Sequence, residues 1–165
     1  VIMGTAGLGD GNVTPVAEFN IWQDAEAAKI VTESGLDNII FVGWDACLGD
    51  CMLNPKEIKE IRESGKLGKF AIDCNKNLLE MNRERFGDDY LDMADPSAMS
   101  AALYPECIEK CEKYYCEVDV SAGPSYGAVL VDVNNVTGKE PNVYICSKLY
   151  ADKYKEYIYR TLKVK

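Results

Sequence analysis

The chain contains no histidine. It therefore offers no imidazole for acid–base chemistry and no ring nitrogen for a zinc site. Long apolar runs are missing too: no stretch approaches the roughly 20 residues that a membrane span needs. The first residues lack the basic, apolar, small-residue series of a signal peptide. Positive charge is scarce, with 18 Lys+Arg against 27 Asp+Glu and a formal charge of -9. Such a field repels phosphate backbones and anionic lipid, which argues against nucleic acid and membrane partners but not against neutral small molecules. Internal repeats and low-complexity tracts are also absent.

What remains is the composition of an ordinary globular domain: 165 residues, 47% hydrophobic and 27% charged. That length suits one domain with a substantial core. There are seven cysteines. An odd count without a secretory signal points to reduced thiols in a cytoplasm. Cys47 and Cys51 share a spacing with Cys107 and Cys111, and Cys116 follows. Zinc knuckles use tighter pairs, so structural or incidental thiols are favoured over metal or redox use. Val1-Ile2-Met3-Gly4 reads as the end of a buried strand rather than a natural start. The chain is therefore expected to be processed or to be a fragment of something longer.

Along the chain, apolar strands alternate with helices. Val1 to Thr5 enters a loop rich in glycine, Gly7-Leu8-Gly9-Asp10-Gly11. Asp24 is placed to cap a helix from Ala25 to about Ser34. Asn38 to Gly43 is a continuous apolar run, as in a strand buried on both faces. Asn54-Pro55 opens a helix that stops near Gly65, and a further helix is expected from Lys69 to Phe86. The loop from Gly87 to Asp95 is acidic. Helices are expected over Ser97–Leu103, from Pro105 to near Tyr115, and over Asp152–Leu162. Strands are expected at Cys116–Val120, Ala128–Val133 and Asn142–Ser147. This alternation predicts an α/β domain with an open, mostly parallel sheet. Ligands of such sheets sit beyond the carboxyl ends of the strands, where the Gly-rich loop and the acidic loop fall.

The Gly-rich loop matches neither a dinucleotide fingerprint nor a P-loop. It leads instead to Asn12, Glu18 and Asn20, set among the apolar Val13, Val16, Ala17, Phe19 and Ile21. Burying such groups unpartnered costs roughly 2–7 kcal/mol each, so they must satisfy one another or a ligand. A carboxylate between amides suits a polyhydroxyl ligand. A capping network within the loop accounts for the same residues. Asp95, before Pro96, reads by pattern as a helix N-cap.

The segment Gly11 to Ala28, containing Gly11-Asn12-Val13-Thr14-Pro15-Val16-Ala17-Glu18-Phe19-Asn20, resembles the most characteristic internal segment of the inosine-uridine preferring nucleoside hydrolases. These are calcium-dependent enzymes that cut the N-glycosidic bond of ribonucleosides. The likeness runs from Met3-Gly4 to the last helix. It implies a Rossmann-like α/β fold with helices on the sheet's faces. It implies that Asn12, Glu18 and Asn20 bind ribose hydroxyls, with Met3 in the sugar pocket, and that Asp95 of the Asp-Pro pair ligates Ca2+. The family's residue before that Asp is often a His that faces the base; here it is Ala94, and Tyr90 is a candidate substitute. The family's N-terminal Asp-rich motif supplies most calcium ligands and the Asp that activates water. Nothing in these 165 residues reproduces it, Asp10 and Asp45 included.

The resemblance thus implies a single α/β domain over 1–165, the C-terminal part of a longer chain. That chain would be a homo-dimer or tetramer acting on ribonucleosides, and the 165 residues alone would be inactive. Two functions stay open: a ribonucleoside hydrolase whose water-activating Asp lies outside the chain, or a non-catalytic relative that binds nucleoside or protein.

Overall fold

The computed structural model describes residues 1–164. In chain order it has β1 (Ile2–Met3), a long loop, α1 (Phe19–Gln23), α2 (Ala25–Thr32) and β2 (Ile40–Val42). Two 3-10 turns, Trp44–Cys47 and Gly49–Cys51, lead to α3 (Pro55–Glu63), α4 (Lys66–Asp73), α5 (Lys76–Phe86) and α6 (Ala94–Leu103). The last part comprises β3 (Ile108–Tyr114), β4 (Cys116–Val118), β5 (Val129–Val131), β6 (Val143–Leu149) and α7 (Ala151–Leu162).

The main sheet has the order β1-β2-β6-β3. β1 pairs parallel with β2, and β2 pairs parallel with β6; only β3 runs antiparallel, along the other side of β6. β4 and β5 form a separate antiparallel pair. β2 shows why its sequence is apolar without alternation: Phe41 is 1% exposed and Val42 0%, on opposite faces. Phe41 joins Ile21, Ala25, Val143 and Ile145 on the side of α1 and α2. Val42 joins Leu53, Ile61, Leu91 and Tyr154 on the side of α3, α6 and α7. Helices therefore cover both faces of a mostly parallel sheet, the α/β architecture expected. Among the described residues, no helix is long and apolar enough to cross a membrane.

Local chemistry sets the helix starts. Asp24 Oδ1 accepts from Ala27 N at 2.9 Å and caps α2. Asn54 Oδ1 accepts from Lys56 N and Glu57 N, both at 3.0 Å, while Glu57 accepts from Asn54 N at 2.9 Å. This reciprocal capping box, with Pro55 in the first turn, fixes the start of α3.

Two expectations are corrected. The helix expected over Lys69–Phe86 is two helices, α4 and α5, broken at Cys74-Asn75. There the Asn75 side-chain amide donates to Ala71 O at 2.8 Å and satisfies a carbonyl at the end of α4, so the chain turns instead of continuing. The helix expected from Pro105 to Tyr115 is a 3-10 turn, Pro105–Cys107, followed by β3. β3 is held in place by its pairing with β6, a partner distant in sequence. A register irregularity between Ile108 and Cys111 puts both on the same face of the sheet, so strand alternation is hidden in this part of the sequence.

Candidate functional site

β1 and β2 end side by side, and the loops leaving their carboxyl ends interlock. Gly4 N donates to Val42 O, and Trp44 N to Thr5 O at 3.0 Å. Thr5 is buried and holds a left-handed φ of 75°, and its Oγ1 accepts from Gly7 N. Asp45 fastens the Gly-rich loop. One carboxylate oxygen accepts from Leu8 N at 2.9 Å, and the other is buried without a partner. Burial pushes this carboxyl up to about 6, against the pull of the Leu8 N–H. Gly7 must be glycine here: a Cβ on it would lie 2.0 Å from Asp45 Oδ1, and its φ is 71°.

The loop then folds back on itself. Gly11 N donates to Pro15 O, and Asn12 N to Ala17 O at 3.1 Å. Asn12 Oδ1 accepts from Phe19 N at 2.9 Å. Glu18, 2% exposed, caps α1: its carboxylate accepts from Asn20 N at 3.0 Å and Ile21 N at 3.4 Å. Burial pushes the Glu18 carboxyl up, opposed by those two N–H groups, the Thr5 backbone and the Asn12 side chain. The Asn20 amide donates to Met3 Sδ at 3.0 Å. The capping network therefore exists, and it holds the three polar side chains in fixed positions at the mouth of a cleft.

That cleft, of about 400 Å³, is lined by Met3, Asn12, Glu18 and Asn20 on one side. Asp92, Ala94 and Asp95 line the other. A wider cleft of about 690 Å³ adjoins it, with Phe19, Trp44, Leu78 and Arg85 in its walls. The Arg85 guanidinium lies 4.8 Å from the Trp44 ring centroid.

Asp95 is not the N-cap its pattern suggested. The cap position falls two residues earlier, at Met93, so that α6 begins at Ala94, and no side chain caps it. Pro96 sits in the first turn, where its missing N–H costs nothing, and the exposed Asp95 carboxylate is left to face the cleft. Tyr90 is half-buried and outside the cleft lining; its carbonyl accepts from the Asn82 amide at 3.0 Å.

Sequence reasoning missed Asp92, which it saw only as one of several acidic loop residues. Asp92 is 6% exposed, and its two oxygens accept from Trp44 Nε1 at 2.8 Å and Asn82 Nδ2 at 2.5 Å. Its bond to Trp44 ties the acidic loop to the turn after β2. Among the described residues, no group of three or more His, Cys, Asp or Glu is placed to hold a metal ion.

Comparison with known proteins fits this layout. The family described as inosine-uridine preferring nucleoside hydrolase matches residues 1–156. The putative pyrimidine-specific ribonucleoside hydrolase RihB of Shigella boydii is 34% identical over 146 residues, covering 88% of this chain and 59% of the relative. The pyrimidine-specific ribonucleoside hydrolase RihB of Escherichia coli K12 is 34% identical over the same length, with 88% and 45% covered. Among solved structures, the purine-preferring ribonucleoside hydrolase from Gardnerella vaginalis superposes with a TM-score of 0.82 at 27% identity. That match covers 99% of this chain and 52% of the other. A plant nucleoside hydrolase shares the fold with a TM-score of 0.85 at 24% identity, over 98% of this chain and 52% of that one. The chain thus spans about half the length of the relatives it matches. It belongs to the inosine-uridine preferring nucleoside hydrolase family.

Proposed function

We propose that these residues form the ribose-binding half of an active site that hydrolyses the N-glycosidic bond of ribonucleosides to ribose and free base. One observation carries this: Met3, Asn12, Glu18 and Asn20 share a single cleft with Asp95, although they come from distant parts of the chain. Asn12 and Asn20 bind ribose hydroxyls through their amides, and Glu18 accepts from a hydroxyl. Because the N–H groups of α1 hold the Glu18 carboxylate, its orientation is set before a ligand arrives, and little reorganisation is needed on binding. Near the sugar, its negative charge stabilises the positive charge that develops as the base departs. The wider cleft beside Phe19 and Trp44 offers an apolar wall to the base, and Ala94, in the smaller cleft, leaves room beside Asp95.

Calcium is a proposal for the larger assembly. Ca2+ takes about 6–8 oxygen ligands, and Asp95 supplies one exposed carboxylate, so the described residues do not by themselves fit the ion. The remaining ligands, and the Asp that activates water, come in this proposal from polypeptide outside the 165 residues. These residues are then one α/β domain of a longer protein, a cytoplasmic dimer or tetramer.

The test is an assay of the purified 165-residue chain for ribose release from inosine and uridine, with and without calcium, beside ribose binding by calorimetry. Ribose binding that weakens at least tenfold in Glu18→Gln, without turnover, is expected. Calcium-dependent turnover by the chain alone would overturn the divided site. Ribose binding unchanged in Glu18→Gln would overturn the clamp.

A further inference from the structure

A second group of nucleophilic side chains lies on the sheet, away from the cleft. In the antiparallel pairing of β3 with β6, Cys111 stands directly opposite Cys146. Both are free thiols, and both side chains belong to the core on the α6 and α7 side of the sheet. Opposed residues of an antiparallel pair have Cα atoms about 4.5–5.5 Å apart. A disulfide spans about 4.4–6.8 Å, so the strands need not move to be bridged. β3 is the outer strand of its sheet, which leaves Cys111 half-buried, whereas Cys146 is fully buried.

The two thiols differ in reactivity as well as access. The neighbouring Cys146 thiol holds the Cys111 thiol below its usual range, and Cys111, with burial, pushes Cys146 far up. Burial also pushes up Cys47, Cys51, Cys107 and Cys116. Thiolate character, which governs attack on disulfides, is therefore favoured at Cys111 over its buried neighbours.

We propose that Cys111 and Cys146 form a reversible disulfide that staples edge strand β3 to β6. The Cys111 thiolate attacks a low-molecular-weight disulfide such as oxidised glutathione, forms a mixed disulfide and expels one thiolate. Cys146 gives its proton to that thiolate and attacks the Cys111 sulfur, expelling the second. Two protein thiols are oxidised, and the reagent disulfide is reduced to two thiols. The bridge closes the segment that carries β4 and β5. It also adjoins the cleft: the Cys146 carbonyl accepts from Gly43 N at 3.1 Å, and Gly43 leads into Trp44 and Asp45.

The experiment equilibrates the intact chain with glutathione mixtures of rising oxidised fraction at about pH 8, where thiolates form. Free thiols, tryptic peptide mass and thermal melting are followed. The expected result is loss of two thiols, a linked Cys111–Cys146 peptide and a melting temperature higher by on the order of 10 °C, all reversed by dithiothreitol. Cys146→Ala is expected to stop at glutathione bound to Cys111, and Cys111→Ser to form no internal bridge. Three results would each overturn the proposal: thiols that stay free in fully oxidised glutathione, a stable glutathione adduct on wild-type Cys111, or bridges that map to other cysteines or link chains through the exposed Cys74.

Discussion

Asp45→Asn is expected to stabilise the chain above about pH 6 and to change it little near pH 4. The Asp45 carboxylate is wedged between Gly7 and Gly43, with one oxygen bound by Leu8 N–H and the other buried alone. Desolvation raises its pKa from 3.8 to about 6. Between those values the folded state holds a proton that the unfolded state has released, so raising the pH favours unfolding. The stability from this group is thus complete below pH 3.8 and lost as pH rises through about 6. At about 1.36 kcal/mol per unit the loss is about 3 kcal/mol, or about 2 kcal/mol once residual solvent exposure screens it. Asparagine keeps an oxygen for Leu8 N–H and carries no charge at any of these pH values. Other carboxylates titrate in both proteins and cancel in the difference. Urea denaturation of both at intervals from about pH 4 to about pH 8 should show a gap that opens across the window and then stays level. A variant no more stable than wild type at about pH 8, or a gap independent of pH, would refute the reasoning.

Two further substitutions probe the same scaffold. Gly11→Ala would place a Cβ 2.2 Å from Thr14 O and 2.4 Å from Ala17 O, both backbone atoms that cannot swing aside. A loss of more than about 2 kcal/mol in urea denaturation and weaker ribose binding are expected, because Asn12 must shift with the loop. Trp44→Phe removes the indole donor to buried Asp92. It should cost about 1–3 kcal/mol by thermal melting, because a buried carboxylate oxygen loses its donor.

Much of the fold is legible in local chemistry. The Asn54-Pro55 start and the Asp24 cap act over a few residues, and the structure shows both in place. The doubly buried run at β2 is equally readable, because a strand covered on both faces has no polar positions to alternate. β3 is different: its identity depends on pairing with β6, whose partner residues lie 29 to 41 positions later, and its register irregularity hides strand alternation. Glu18 shows how far the site could be read. A carboxylate between amides in an apolar setting signals a buried polar group, and it is one, but its second task as cap of α1 appears only with the helix. Asp92 carries no such signal. Its burial comes from Trp44 and Asn82, on two other elements, and an acidic loop in sequence looks the same whether its carboxylates are buried or exposed.

The position of β1 at one end of the sheet has a consequence for assembly. Its two residues pair with β2 on one side, and on the opposite edge the Met3 carbonyl takes only a long 3.5 Å contact from the Asn20 amide, so that edge can accept an added strand. Met3 also lines the cleft. A strand laid along that edge would extend the sheet and end beside the Asn12–Glu18–Asn20 clamp in the same movement. Recruitment by this route would run on backbone hydrogen bonds, and so would respond weakly to salt and to side-chain substitution on the incoming strand. Slowed amide exchange at Met3 would report it before any catalysis was measured.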